Sequence, residues 1–448
     1  MTPLAQQIVP YHAGSAVLGV AGRFVGLTEL QETGLSQAIR PDARVALHLS
    51  DPLQVIRALA ALDGQVAAIL LLSYTLAPHT ALLLAQTARC TVFVSDDMPK
   101  AHNTMTAIAF SDLLGPSRRI DPLPTEWLMT TSGTTGVPKI VPHSLRSLSR
   151  SVYRFTASSP LTTAPVWGLL YDPTRFAGLQ VVLQALIGGG QLVAIDTSLP
   201  LAEQVAALAD HGCTHLSATP TLWRRLMMVP GHNRLPLRQV TLGGEIADQP
   251  TLNAVRAAFP AARLSHIYAS TEAGVGFSVT DGLAGFPLTY LDKAPGTVRL
   301  KIQKGILWLR PAITEIIPGL PDIEIDPEGY IRSGDQVLIA GARVLFLGRE
   351  NGLINIGGVK VYPETVEAIV KTVPGVALVR VFAKSSPVTG SLVVAEVQLK
   401  DGADPDAIRR LIQDSCRTHL DREAVPAIIR FVTDFATNAA GKLVRTGG

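Results

Sequence analysis

The chain is predicted to be α/β: a large N-terminal domain of parallel and mixed sheets layered with helices and extended by a β-rich subdomain, then a small α+β C-terminal domain. Three observations predict it. Apolar strand-like runs alternate with helical runs from Val45 onward. The texture changes to short strands and tight turns between Val298 and Leu347. A glycine-rich polar break at Gly348–Gly352 then precedes a last stretch of mixed strands and helices. Strands and helices alternating at this spacing imply parallel sheets covered on both faces. The expected division is residues 1–348 and 349–448.

Taken in order, VALHLS from Val45 is a buried strand, and Asp51 caps the helix LQVIRALAAL behind it. AAILLLSY is the next strand, HTALLLAQTA a helix and CTVFVS a strand. The rhythm resumes with a helix from Phe176 to Leu186, the strand QLVAI, the helix AEQVAALADH and the strand THLSA leading into TPTLWRRLM. QVTLGG is a strand ending at Gly243-Gly244, followed by a helix from Gln249 to Phe259 and the strand RLSHIYAS. ILWLR is a strand of the β-rich part, and GYIRSGD a strand and turn. In the last part, YPETVEAIVKT opens a helix with Pro363 near its N-terminus and Glu364 and Glu367 in its first turns. ALVRVFAK, LVVAEVQL and AIIRFVTDF are strands, and PDAIRRLIQDSCRTHL is an amphipathic helix.

A chain of 448 residues is too long for one ordinary core, and 47% hydrophobic with 17% charged residues is the balance of a packed globular protein. A net charge of +3 argues against nucleic acid or an anionic membrane as partner. The three cysteines, Cys90, Cys213 and Cys416, lie far apart with no metal-ligand spacing, so reduced thiols in a cytoplasmic protein are expected. No signal-peptide pattern follows Met1, and the most apolar run, Ala67–Leu72, is far short of a membrane span.

The segment Thr130–Lys139, TTSGTTGVPK, carries the most chemistry. Small hydroxyl residues and glycines let backbone N–H groups approach phosphate oxygens. It is not a Walker A loop, because Gly133 and Gly136 are too close and Lys139 follows Val-Pro. A flexible linker of this composition rarely runs into Pro-Lys and an apolar pair.

This segment closely resembles the phosphate loop of the AMP-forming adenylating enzymes: acyl-CoA synthetases, adenylation domains and luciferases. Further motifs of that family follow in order. Tyr268-Ala269-Ser270-Thr271-Glu272 resembles its Y-G-x-T-E segment, and Gly243-Gly244-Glu245 its glycine-rich strand end. Ser333-Gly334-Asp335, after Tyr330, resembles its T-G-D motif, and the stretch from Gly348-Arg349 to Pro363 its hinge motif. Gly441-Lys442, with Arg445 beyond, resembles its C-terminal lysine loop.

The resemblance implies ATP, Mg²⁺ and a small carboxylic acid as ligands, with Thr131, Ser132, Gly133, Thr134, Thr135, Gly136 and Lys139 around the phosphates. It implies that Tyr268 stacks on adenine, with Gly243, Gly244, Glu245 and Ala269 nearby, and that Asp335 and Arg349 hold the ribose. Thr271 meets the α-phosphate and Glu272 binds Mg²⁺, a hard cation suited to carboxylate oxygen. Lys442 acts in adenylation, Asn351 sits in the hinge of a mobile C-terminal domain, and Gly358 faces the thiol tunnel. The thiol is that of CoA or of a phosphopantetheine on a separate carrier protein; no fused carrier site is visible.

Departures are Ile140 in place of the usual Gly, Ala269 for Gly, an alanine expected to line the acyl pocket and narrow it slightly, and Asn438 for Thr; none removes a charge the chemistry needs. The phosphate loop also arrives early, so the first subdomain is expected to be trimmed. Phe176 either lines the acyl pocket or packs in the core. Arg175 and Arg225 either meet a polar tail of the substrate or lie at the surface. A scaffold that has lost catalysis is disfavoured by the presence of Glu272, Asp335, Arg349 and Lys442. A dinucleotide oxidoreductase is excluded because no G-x-G-x-x-G follows the first strand.

Overall fold

The computed structural model describes residues 2–8, 16–19, 24–97, 105–116, 121–131, 139–158, 164–271, 274–295, 298–310, 324–356, 359–386 and 390–435. The first sheet contains β1 (Arg44–His48), β2 (Ala68–Leu71), β3 (Val92–Ser95), β4 (Thr106–Ile108), β5 (Glu126–Thr131) and β6 (Lys139–His143). Its order is β6-β5-β2-β1-β3-β4, with every neighbouring pair parallel except β5–β6. Helices α1 (Pro52–Leu62), α2 (Pro78–Thr87) and α3 (Leu145–Ser158) belong to this part. α1 starts as its sequence predicts, with the Asp51 carboxylate accepting the Leu53 N–H at 3.0 Å.

The second sheet is built from β7 (Val166–Leu169), β8 (Gln191–Ala194), β9 (His215–Ala218), β10 (Gln239–Gly243), β11 (Arg263–Ser270) and β12 (Gly274–Val279). Its order is β12-β11-β10-β9-β7-β8, continued past β8 by the short strands Ala16–Gly19 and Phe24–Gly26. Pairing is parallel throughout except at the two outermost pairs. The connecting helices are α4 (Phe176–Ile187), α5 (Leu201–Asp210), α6 (Pro220–Met228) and α7 (Gln249–Ala258).

α1 and α4 lie between the two sheets. Val55, Ala58, Leu59 and Leu62 of α1 join the core of the first sheet, while Leu53, Ile56 and Ala60 join that of the second. α4 divides in the same way, Leu179, Leu183 and Ile187 against Val181, Val182, Ala185 and Leu186. A helix that is apolar all round must be buried all round, which is why these two carry continuous runs of Leu, Val, Ile and Ala.

An antiparallel sheet follows, in the order Phe286–Pro287, β16 (Arg343–Arg349), β15 (Ile331–Ala340), β14 (Ile306–Arg310), β13 (Arg299–Gln303). The turn expected at Ser333-Gly334-Asp335 is instead the interior of β15, which runs on to Ala340. Gly334, at φ +73°, absorbs the irregularity that precedes a register shift at Gln336/Val337.

Beyond the short helix Glu350–Gly352, the remaining elements share a core of their own. They are a hairpin (Ile354–Ile356 with Val359–Val361), α8 (Pro363–Val370), β17 (Val376–Ser386), β18 (Gly390–Leu399), α9 (Pro405–His419) and β19 (Ile428–Phe431). That core runs from Ile354 to Ile429 and includes Val366, Val379, Val397, Ile412 and Cys416, with Phe431 packed against it. The sheet order is β17-β18-β19, antiparallel then parallel.

His215, on β9, is buried, with its ring 4.8 Å from that of Trp167 and Nδ1 2.9 Å from Thr214 Oγ1. Burial, helped by the Arg238 charge, lowers its pKa from 6.5 to about 4. The unfolded chain therefore binds a proton between these values that the folded chain does not, so stability is full above pH 6.5 and falls as pH drops toward 4. His48 and His266 shift in the same direction, again chiefly through burial. Denaturant unfolding at pH 7.5 and pH 5 should show a loss of up to ~2 kcal/mol assignable to His215, and His215→Asn should flatten the slope by about one proton.

Candidate functional site

In the second sheet the chain moves from β7 to β8, then returns through α5 to β9 on the other side of β7. Open parallel sheets bind ligands outside the carboxyl ends of strands at such a reversal. The same happens around β1, flanked by β2 and β3. The carboxyl ends of the two sheets meet, because Arg175, at the N-terminus of α4, donates through Nη1 to the Thr130 carbonyl of β5 at 3.3 Å.

Thr131 and Lys139 are register partners across β5 and β6, so the two ends of the phosphate loop are pinned side by side. Ser132, Gly133, Thr134, Thr135 and Gly136 lie outside the described residues, as do Glu272, Gly358 and Lys442. The carboxyl ends of β10 and β11 bring Gly243, Gly244, Tyr268, Ala269 and Thr271 to the same edge. Among the described residues, a Cβ at Gly243 would meet nothing nearer than the Ile267 carbonyl at 3.9 Å, and Gly244 takes φ +80°. Glu245 ties β10 to α6, its Oε2 accepting the Thr221 N–H at 3.0 Å.

Asp335 is buried on β15 and ties the antiparallel sheet to Tyr268 of β11. Its Oδ1 accepts from Arg349 Nε at 3.0 Å, across the β15–β16 pairing, and its Oδ2 accepts from the Tyr268 hydroxyl. Ser333 sets the approach by accepting the Asp335 N–H at 3.0 Å and donating to the Leu307 carbonyl at 2.6 Å. A carboxylate has about four acceptor positions; among the described residues these two partners leave about two for a ligand's hydroxyls. Burial, with the Asp335 charge beside it, pushes the Tyr268 hydroxyl well above the usual tyrosine range, so it remains a donor. Tyr268, implied by its motif to stack on adenine, already lies within an aromatic cluster. Its half-buried ring lies parallel to Phe277 (5.3 Å, 10°) and Phe346 (5.2 Å, 6°).

The acyl-pocket residues separate. Phe176, half-buried, packs on the core and lies 6.1 Å from the His143 ring. Arg175 stays at the strand ends, where burial disfavours its charge and Asp172 partly offsets that cost. Arg225 does not: it lies late in α6, within 3.9 Å of Asp434 in the C-terminal part. Asn351 is exposed in the short helix after Arg349. The sequence reading missed Tyr171 and Ser217, whose hydroxyls interact beside Glu245, and Asp172, which accepts from Thr174 N and Oγ1 at 2.8 and 2.6 Å. Their signal was available in their places at or near the carboxyl ends of β7 and β9.

Among the described residues no group of three or more His, Cys, Asp or Glu could hold a metal ion, and no helix is long and apolar enough to cross a membrane. A Mg²⁺ site that draws most of its ligands from phosphates and water needs no such cluster.

Comparison with known proteins follows the same lines. The profile of the family described as "AMP-binding enzyme" matches residues 33–302, and that of "AMP-binding enzyme C-terminal domain" matches residues 365–442. The chain is 28% identical to 2-succinylbenzoate–CoA ligase of Geobacillus kaustophilus over 343 residues, covering 71% of this chain and 67% of the relative. It is similar in structure to o-succinylbenzoate CoA synthetase of Bacillus subtilis in complex with its acyl-adenylate intermediate (TM-score 0.74, 19% identity, 96% and 94% covered). It is also similar to ATP-bound MatB from Rhodopseudomonas palustris (TM-score 0.78, 19% identity, 98% and 96% covered). These two likenesses show the fold.

Gly178 holds the Asp172–Arg175 segment close to α4, since a Cβ there would stand 2.1 Å from the Asp172 carbonyl. Gly178→Ala should therefore cost on the order of 1–3 kcal/mol in denaturant unfolding, as overpacked sites do. Gly243→Ala, whose Cβ would meet no described atom closer than 3.9 Å, should cost much less.

Proposed function

The chain belongs to the AMP-binding enzyme family, and on that premise we propose that it activates a carboxylic acid with ATP to an acyl-adenylate and passes the acyl group to the thiol of CoA. The observation that carries this reading is Asp335: a buried carboxylate, oriented by Arg349 and Tyr268, with acceptor positions to spare for ribose hydroxyls. The substrate we favour is a small aromatic or short acyl acid. The name of the Geobacillus relative, a 2-succinylbenzoate ligase, supports the aromatic choice.

In the first step an oxygen of the acid attacks the α-phosphorus of ATP, the bond to the β-phosphate oxygen breaks, and pyrophosphate leaves along the Thr131–Lys139 segment. Two anions must meet, so the step depends on cations and donors placed where charge develops. Lys442 and the Thr271 hydroxyl take that role at the α-phosphate, and Lys139 serves the departing phosphates. Glu272 would hold Mg²⁺, which would supply neutralisation of phosphate charge. In the second step the CoA sulfur bonds to the acyl carbon, the acyl–phosphate bond breaks, AMP leaves and the thiol proton passes to solvent. We place the division between the two bodies at 348/349, where the chain crosses once before the separate core that begins at Ile354. Turning about this crossing brings first Lys442 and then the Gly358 hairpin to the site.

Lys442→Ala tests the division of labour. Acid-dependent ATP–pyrophosphate exchange should fall at least ~100-fold, while ATP affinity by calorimetry and thioester formation from supplied acyl-adenylate change little. Equal loss in both half-reactions would contradict the role. With the wild type, CoA should accelerate pyrophosphate release and yield a thioester by mass. Release indifferent to CoA would assign the acceptor role to a carrier-protein phosphopantetheine instead.

A further inference from the structure

A buried polar seam joins the C-terminal body to α6 and α7. Lys371, directly after α8, donates to Asp248 Oδ2 at 2.9 Å, and the two side chains are only 13% and 9% exposed. Asp248 is also the N-cap of α7, its Oδ1 accepting the Thr251 N–H at 2.8 Å. Arg224 of α6, also buried, donates from Nε to the Ala377 carbonyl of β17 at 3.0 Å and from Nη1 to Thr251 Oγ1 at 3.2 Å. Glu367, one turn before Lys371, is buried and accepts the Val381 N–H at 2.9 Å. Two cations and two carboxylates thus balance inside the seam. Burial alone would oppose charge on both Asp248 and Lys371, yet each holds the other ionised: the Asp248 pKa is lowered and that of Lys371 raised.

Stability does not require charges here, because well-packed apolar side chains would serve a permanent interface as well or better. What a buried ion pair provides is a contact that is complete or strongly unfavourable: either partner left alone in the seam is a buried charge without compensation. Once the seam opens, both ends regain water. Such a contact suits a body that has its own core, is joined to the rest by one chain crossing and must hold one orientation and then leave it. The seam also lies beside the chain's path toward the C-terminus, since Asp434 stands 3.9 Å from Arg225 on α6.

We propose that Asp248 and Lys371 are positioning residues for adenylation: their buried pair holds the C-terminal body in the orientation that serves the first half-reaction, and its release permits the second. This inference rests on the reading given under Proposed function. Neither residue touches the reacting atoms.

Three variants test it. Asp248→Asn removes the charge but keeps a good N-cap, Lys371→Met removes the charge but keeps the stem, and the double variant removes both. Each single variant should lower kcat of acid-dependent ATP–pyrophosphate exchange by ~10-fold with KM for ATP little changed, while transfer from supplied acyl-adenylate is unchanged or faster. Lys371→Arg should restore most of the exchange rate. The double variant should be less impaired than the product of the singles, because no unpaired charge remains. An independent readout is the distance between labels on exposed Ala257→Cys in α7 and Arg410→Cys in α9, the native cysteines being buried. That distance should broaden or lengthen in the single variants. An unchanged distance, or equal loss in both half-reactions, would overturn the proposal. If the wild type shows no acid-dependent exchange, the functional reading fails, and the label distance alone then decides whether the pair holds the orientation.

Discussion

The structure depends on a layer of helix that belongs to two sheets at once. α1 and α4 bury one face against the first sheet and the opposite face against the second. Neither sheet can shift without exposing apolar surface on a helix that the other sheet also needs. At about 25 cal/mol per Å² of apolar surface, even a partial opening between these layers is costly. The consequence reaches the site through one hydrogen bond. α4 begins at the carboxyl end of the second sheet, and Arg175 at its start grips the Thr130 carbonyl at the carboxyl end of the first. Both rows of strand ends therefore open onto one cleft, and residues far apart in sequence are held there by backbone geometry.

Within that frame the chemistry is set by how many partners each polar group already has. Asp335 is held by Arg349 and Tyr268 without being saturated, which makes it rigid and still receptive. Glu245, by contrast, is engaged in fixing α6 to β10. Close approach is the other device. Gly348, at φ +152°, leaves room for Glu364 of α8, whose carboxylate oxygen would be 2.4 Å from any Cβ placed there. The glycine of the Gly-Arg pair is thus explained by contact between the C-terminal body and β16, and the arginine by its bond to Asp335.

Much of this was legible in the sequence. The alternation of strand and helix from Val45 to Ser270 gave the sheets, Asp51 gave the start of α1, and the ordered motifs gave the family and most of the strand-end residues. What was not legible has physical causes. Ser333-Gly334-Asp335 reads as a turn because local propensity favours one, whereas it is an irregularity inside β15: Arg332 and Gln336 pair with β14 on either side of it, Asp335 pairs with Arg349 of β16, and Gly334 takes the left-handed turn. Arg225 and Arg175 look alike in sequence; only the packing of α6 against β17 sends one toward the C-terminal body. The Phe277 and Phe346 rings beside Tyr268 come from a cross-strand pair and a separate sheet, contacts for which a single sequence holds no signal. The Asp248–Lys371 pair, across 123 residues, is of the same kind.

The central claim is that Asp335 receives the ribose of a bound nucleotide. Equilibrium binding of AMP and of 2′,3′-dideoxy-AMP to the unaltered protein, measured side by side by calorimetry, tests it most directly. Loss of two hydroxyl hydrogen bonds to a buried carboxylate should weaken the dideoxy nucleotide at least ~10-fold. Equal affinities would mean that the carboxylate held by Arg349 and Tyr268 serves the fold alone, and that the nucleotide lies elsewhere.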